Sequence, residues 1–281
     1  MALFFAAICC LCAAVNDLVF RLYARKARSR GIYVLVIGII WTLAFAFFSD
    51  FSLIFSGTTL FWGIVSGLLS VAANIMLIEG MSHNEAGVCA TIYRLNLVAV
   101  ALGAFLFLGE TVSILKITGI SFAATAVLLF FPKSYHGSHA DKVKLGFYLV
   151  GIAALLRAAM GLSYKYAFLH GADRNVLLLV NGILWIVGGG VYLLWREKHL
   201  SGKDGTSWSY GVLSGLLICG IVLFMALALQ YGDAAVVLPL AQMSFLGTWV
   251  LGLFLLGEKL NFRKALGLAA GILCILCMSF A

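Results

Sequence analysis

Two prolines are all that 281 residues contain, and charged side chains make up only 11% of them. A chain so poor in charge cannot cover the surface of a water-soluble domain. Also missing are a nucleotide-binding glycine loop, a His/Cys cluster at metal-ligand spacing and a nucleophile–base pair, so ATP-driven transport and enzymatic activity are both disfavoured. The seven cysteines are scattered through apolar segments. They read as small packing residues, with no cofactor and no metal implied. No positive region precedes the first apolar run, whose cations come after it, so that run reads as a retained helix and not a signal peptide.

What is present is 63% apolar residues, thirty glycines and a mean hydropathy of +1.09. Apolar runs of about 18–23 residues can each cross a hydrocarbon core of roughly 30 Å as a helix. The alternation of a barrel strand is absent. Dividing the chain at its polar interruptions predicts ten spans: 2–20, 32–49, 58–80, 87–108 and 113–131, then 144–168, 175–195, 208–231, 234–256 and 262–280. The expected fold class is an all-α integral membrane protein whose direct partner is the lipid bilayer.

A shift of 148 residues lays the chain on itself without a gap. Gly63-Ile-Val-Ser-Gly-Leu-Leu69 falls on Gly211-Val-Leu-Ser-Gly-Leu-Leu217, Leu108-Gly109-Glu110 on Leu256-Gly257-Glu258, Lys116 on Lys264 and Gly119 on Gly267. One register over this length indicates duplication. The expected organisation is a first five-helix repeat at 1–131, a linker at 132–143 and a second repeat at 144–281. Five spans per copy is odd, so the copies enter the membrane from opposite sides. Inverted repeats place a site near the midplane and allow alternating access by rocking one bundle against another.

The paired Gly109-Glu110 and Gly257-Glu258 turns, the Gly-x-x-x-Gly of the third and eighth spans and Asn16 in the first span resemble the EamA-type repeat of the drug/metabolite transporter superfamily. The likeness covers both halves, departing from it at Leu97 and Phe245, where many relatives carry proline. It implies a ten-helix transporter with both termini inside the cell; a bacterial inner membrane and a monomer or homodimer are expected. The charge distribution implies the reverse. Fourteen Lys and Arg residues, among them Arg21, Arg25, Arg30, Lys142, Arg196 and Lys264, follow odd-numbered spans, against Lys116 and Arg174 on the other side. Basic loops lie in the cytoplasm, which puts the termini outside. Anionic headgroups account for the net charge of +8, so nucleic acid is not an expected partner.

Ionisable residues within spans imply partners or a wet cavity, because a central charge costs about 2.5–3.5 kcal/mol even on the translocon scale. Asp17, Glu79, Arg94 and Arg157 stand out; Lys165 can snorkel. Arg94 can take either Asp17 or Glu79 as its counter-ion. Arg157 shares a helix face with Gly161 and Tyr164 and is assigned to the cavity. Asn16, Asn74, Asn96, Asn181 and Gln242 each offer a donor and an acceptor, and about half of them are expected to face the cavity. Tyr93, Tyr164, Trp41, Trp185, Trp62 and Trp249 either wall the cavity or anchor spans. Glu110 and Glu258 are expected to cap the helices that follow them. Gly63/Gly67 and Gly211/Gly215 allow close helix contact, within the bundle or across a dimer. Pro239 is expected to kink span nine.

The function these residues predict is secondary or facilitated transport of a small polar metabolite with an anionic group. Arg157 and Arg94 would bind it, and Glu79 or Asp17 would serve as proton-coupling or gate residues. The alternatives are a flippase for a lipid-linked sugar and a non-transporting membrane scaffold.

Overall fold

A computed structural model describes residues 1–49, 56–108, 113–131, 138–197, 205–231 and 240–280. All regular structure among them is α-helical: α1 (Ala2–Ala24), α2 (Arg30–Ala46), α3 (Gly57–His83), α4 (Ala86–Arg94), α5 (Asn96–Leu108), α6 (Ile114–Phe130), α7 (Ser138–Leu169), α8 (Arg174–Arg196), α9 (Gly205–Tyr231), α10 (Ser244–Leu256) and α11 (Phe262–Ser279). Gly109, Glu110 and Pro239 lie outside the described residues. Six helices, α1, α3, α7, α8, α9 and α11, are long and apolar enough to cross a membrane, and shorter apolar helices accompany them. α7 starts at Ser138, inside the segment expected to be linker.

Local chemistry sets the helix ends. Ser29, Ser113, Asp173 and Asn261 each accept a hydrogen bond from the backbone N–H three residues on, at 2.8–3.2 Å. Two of these caps, Ser113 and Asn261, are 148 residues apart. They correct the expectation for Glu258: the cap of α11 is Asn261, which stands closer to the first helical residue, and Glu258 is engaged elsewhere. Gly257 closes α10 at φ +66°, the left-handed conformation that a glycine adopts without strain.

The fourth span, expected to be continuous over 87–108, is broken at Leu95 (φ −69°, ψ 0°), and the helical stretch from Leu240 is broken at Met243 (φ −73°, ψ 5°). The breaks are also 148 residues apart. Each closes a three-residue turn, Val98 N–H to Leu95 C=O at 3.0 Å and Leu246 N–H to Met243 C=O at 2.9 Å. Neither Leu95 nor Met243 is a proline. At the first break the Asn96 side chain donates to the Tyr93 carbonyl at 2.8 Å, a local bond that competes with the regular ladder.

The packing is paired. α2 lies on α8 and α6 on α11; α1 lies on α9 as α3 lies on α7; α2 touches α9 as α3 touches α8. Large apolar side chains such as Phe4, Leu43, Leu155, Leu194 and Phe254 are exposed around the bundle, which gives it a lipid-facing belt. The paired Gly motifs are internal: Gly63 and Gly67 abut Val180 and Leu184 of α8, and Gly211 and Gly215 abut Val36 and Ile40 of α2.

The closest approach is between α2 and α8. A Cβ on Gly189 would stand 2.5 Å from the backbone N of Leu35 and 2.8 Å from the carbonyl of Gly31, and one on Gly38 would stand 2.6 Å from the backbone N of Ile186. Backbone cannot swing aside as a side chain can. Gly189→Ala should therefore cost about 1–3 kcal/mol through overpacking. Its neighbour Gly190, whose added Cβ would meet nothing within 4 Å, should tolerate alanine. Thermal unfolding of the two purified variants checks this, and equal midpoints would contradict the seam.

Candidate substrate cavity and its closed end

Between the helices lies a cavity of about 360 Å³. α3 contributes Ser70, Asn74 and Leu77, spaced four and three residues apart on one face, and α7 contributes Arg157, Met160, Tyr164 and Phe168, a second stripe at helical spacing. Trp41 of α2 and Trp185 of α8 stack with ring centroids 6.1 Å apart. Their indole N–H groups are fixed, Trp41 donating to the Leu178 carbonyl at 2.9 Å and Trp185 to Ser70 Oγ at 3.0 Å. α9 completes the wall with Ile218, Ile221, Val222 and Met225.

One end of the cavity holds Asn16, Asp17, Tyr93 and Arg94, and the lining extends to Phe168 and exposed Arg174 at the other. Arg94 Nη2 is 3.5 Å from Asp17 Oδ2, and the same carboxylate accepts from Thr248 Oγ1 at 3.1 Å. Asp17 is buried. Beside this pair, Asn16 Oδ1 and Arg94 Nε are buried without a hydrogen-bond partner among the described residues. Arg157 has no carboxylate partner among the described residues; its Nη1 reaches only Met160 Sδ, at 3.6 Å. The cavity therefore contains one neutralised ion pair and two cations, Arg157 and Arg174, without counter-ions among the described residues. That arrangement favours an anion.

Beyond Phe20 and Leu77 the bundle is closed by a basic end. Tyr23 stacks on Tyr33 at 4.1 Å, Tyr23 meets Ser207 Oγ at 2.8 Å, and Tyr33 is hydrogen-bonded to Ser214. Arg30 pairs with Glu79, which also accepts from Tyr192 OH at 2.6 Å. Glu197 accepts from Ser29 Oγ at 2.5 Å and Arg30 N–H at 2.7 Å. Lys264 pairs with Glu85. Glu258, instead of capping α11, accepts the Ala86 and Gly87 N–H groups at 2.6 and 3.3 Å, so it caps α4 from across the molecule. Arg21 Nε stands 3.9 Å from it, and burial pushes the Glu258 carboxyl above its ordinary range while the two amides oppose that shift.

Of the predicted site residues, Arg157, Arg94, Tyr164, Tyr93, Asn74, Asn16 and Asp17 are brought together around the cavity. Between the two candidate counter-ions, Arg94 takes Asp17. Glu79 sits at the basic end. Asn96 and Asn181 hold helices: Asn181 Nδ2 donates to the Leu177 carbonyl at 2.7 Å and to Ser66 Oγ at 3.2 Å. Gln242 is next to the Met243 break, its Oε1 buried without a partner among the described residues. Gly161 faces Val100, whose Cγ2 a Cβ there would meet at 3.7 Å, an ordinary van der Waals contact. Trp249 is buried over Gly87 and donates to Thr91 Oγ1 at 3.0 Å. Glu197, Tyr192 and Ser70 escaped sequence reasoning. Glu197 had one available cue, as a carboxylate in an otherwise basic loop.

A multi-helix bundle with a lipid-facing belt around a charged internal cavity defines an integral, multi-pass membrane transporter. A model described as the EamA-like transporter family matches residues 144–280. A Sinorhizobium sp protein described as "Uncharacterized transporter in cobO 3'region" is 40% identical over 98 residues, which is 35% of this chain and 70% of that protein. The chain belongs to the EamA-like transporter family. A solved structure described as "Crystal structure of protein" shares the fold, with a TM-score of 0.64 over 98% of this chain and 95% of that one at 15% identity. Family membership makes the protein a membrane transporter.

The ion pair next to the cavity yields a sharp expectation. Asp17→Asn leaves Arg94 as an uncompensated buried charge and should destabilise by about 3–5 kcal/mol. Adding Arg94→Gln should recover most of that loss. Thermal unfolding of the single and double variants measures it, and simple additivity would show that the two side chains do not depend on each other.

Proposed function

We propose that the chain is a secondary transporter of a small organic anion, working by alternating access between two inverted five-helix repeats, 1–131 and 144–281, that together cross the membrane ten times. The observation that carries the anion assignment is the cavity's charge: Arg157 and Arg174 lack counter-ions among the described residues, and Asp17 is occupied by Arg94. The duplicated breaks at Leu95 and Met243, the duplicated caps and the paired helix contacts support the inverted-repeat reading. The 360 Å³ volume suits a metabolite of modest size and argues against a lipid-linked sugar.

In this reading the substrate's anionic group enters past Arg174, takes the forked donors of Arg157 and competes with Asp17 for Arg94. Asp17, released from Arg94, takes up the coupling proton, and Glu79 belongs to the gate at the basic end. Basic loops on the cytoplasmic side of a bacterial inner membrane would place both termini outside and make the described state outward-facing.

Thermal-shift screening of purified protein against carboxylates, phosphates, amino acids, amines and sugars tests the anion site. An anionic ligand should stabilise the wild type, and Arg157→Ala should weaken it roughly 10- to 100-fold, as expected for a charged hydrogen bond. A ligand that stabilises both proteins equally would remove Arg157 from the site. In proteoliposomes, Asp17→Asn/Arg94→Gln should abolish the pH dependence of uptake; pH dependence that survives in this variant would refute Asp17 as the coupling group.

A further inference from the structure

A second cavity, of about 650 Å³, lies at the basic end, lined by Arg28, Arg30, Glu79, Leu145, Arg196 and Glu197 among others. It is separate from the substrate cavity and shares no lining residue with it. Counting donors against acceptors shows what it lacks. The Glu197 carboxylate is taken by Ser29 Oγ, the Arg30 N–H and, at 3.3 Å or more, the Gly31 N–H. Glu79 is taken by the Arg30 guanidinium and Tyr192 OH. Both carboxylates are thus committed to holding helix ends together.

Two guanidinium groups remain. Arg28 lies over the rings of Tyr23 and Tyr210, at 5.5 and 4.9 Å, with Nη1 buried and without a hydrogen-bond partner among the described residues. Arg196 is exposed and has no carboxylate among the described residues. Cationic donors without acceptors among the described residues, one of them held against two rings, at the rim of one groove call for an oxyanion. The flank of the groove identifies its source. Leu145, 52% exposed on α7, lines the groove together with Leu149, and at the same level Leu194 and Trp195, 76% and 83% exposed on other faces of the last turn of α8, do not line it but mark where that helix meets the membrane boundary. Exposed aliphatic and indole side chains next to arginine, at the end of a membrane-crossing helix, mark the level of the headgroups.

We propose that this groove binds the phosphate of an anionic phospholipid, held by Arg28 and Arg196, with the acyl chains descending over Leu145. Bound there, the lipid bridges the loop before α2, the end of α8 and the start of α7, and so favours the closed basic end. A free phosphate ester would offer the same oxyanion without needing the apolar flank.

The test is thermal unfolding of the full chain in a neutral detergent with added phosphatidylglycerol, phosphatidylcholine, glycerol phosphate or inorganic phosphate. Phosphatidylglycerol should raise the wild-type midpoint, and the other three should leave it nearly unchanged. Arg28→Gln/Arg196→Gln should lose more than half of that shift. Lys26→Gln/Lys259→Gln, which removes the same charge from exposed positions on the same face, should keep it. If Arg28→Gln alone weakens folding through its tyrosine contacts, Arg196→Gln on an exposed side chain decides. Arg157→Ala should retain the lipid shift, which separates this groove from the substrate cavity. An equal shift with inorganic or glycerol phosphate would overturn the lipid assignment. A lipid shift as large in the groove variants as in the lysine control would overturn the site.

Discussion

The approach of α2 to α8 is the constraint on which the rest of the bundle depends. In hydrocarbon no hydrophobic force draws helices together, so association relies on close packing, which small residues permit. Gly31 and Gly189 face each other, Gly38 lies against the Trp185–Ile186 backbone, and Gly182 lies against Trp41 and Thr42. Because both indoles flank glycines of the opposite helix, the contact that excludes a Cβ also sets the Trp41–Trp185 stack and therefore one cavity wall. At its basic end the same seam delivers Glu197 to the first amides of α2. One helix pair thus fixes the wall of the site and part of its closure.

Charge is distributed over this frame according to what each group must do. Asp17 and Arg94 satisfy each other, so the inner end of the cavity can be dry without either ion being stranded. Arg157 is treated differently. It is half-buried, its Nη1 reaches the Met160 thioether, and no carboxylate among the described residues neutralises it. A charge in mid-membrane is tolerated in that state only where water or a ligand reaches it. The difference between these two arginines is what supports the binding role proposed for Arg157.

The 148-residue register was legible from the Gly-Glu turns, but the breaks at Leu95 and Met243 and the caps at Ser113 and Asn261, which obey the same shift, were not read from it, because each is a local choice of backbone that the apolar pattern does not mark. Membrane residence and the set of apolar segments followed from composition and length. The long-range choices were not legible. Glu258 lies a few residues before α11, so local reasoning gives it to that helix, yet its carboxylate reaches the amides of Ala86 and Gly87 more than 170 positions away. Arg94 had two plausible counter-ions until the fold put Asp17 beside it and sent Glu79 to Arg30. Asn96 and Asn181 offer the same chemistry as Asn74, and only the helix face each occupies separates lining from scaffold. Periodicity cannot sort six rings into wall and anchor either, since both roles need an aromatic on an inward or interfacial face.

The closed end is built from many modest contacts rather than one strong lock. Arg21 with Glu258 and Lys264 with Glu85 join positions from opposite halves of the chain, as do Ser29 with Glu197 and Tyr192 with Glu79. The partly exposed Lys264–Glu85 pair contributes about 0–1 kcal/mol and each hydrogen bond about 0.5–1.5 kcal/mol, while the buried Arg21–Glu258 contact, at 3.9 Å, does little more than offset the desolvation of its two ions. A handful of such contacts therefore holds the end shut by a few kcal/mol, the scale at which an alternative conformation is populated at roughly 0.1–10%. A transporter needs that margin. In the alternating-access reading proposed above, closure persists while the substrate is bound at the other end, yet yields when a ligand contact or a single proton changes the balance, and a ligand's differential affinity for two states is of the same size. An all-apolar seal of equal area would be harder to reopen, because separating it exposes surface to water with nothing to replace the contact, whereas every group in this network can exchange its partner for water.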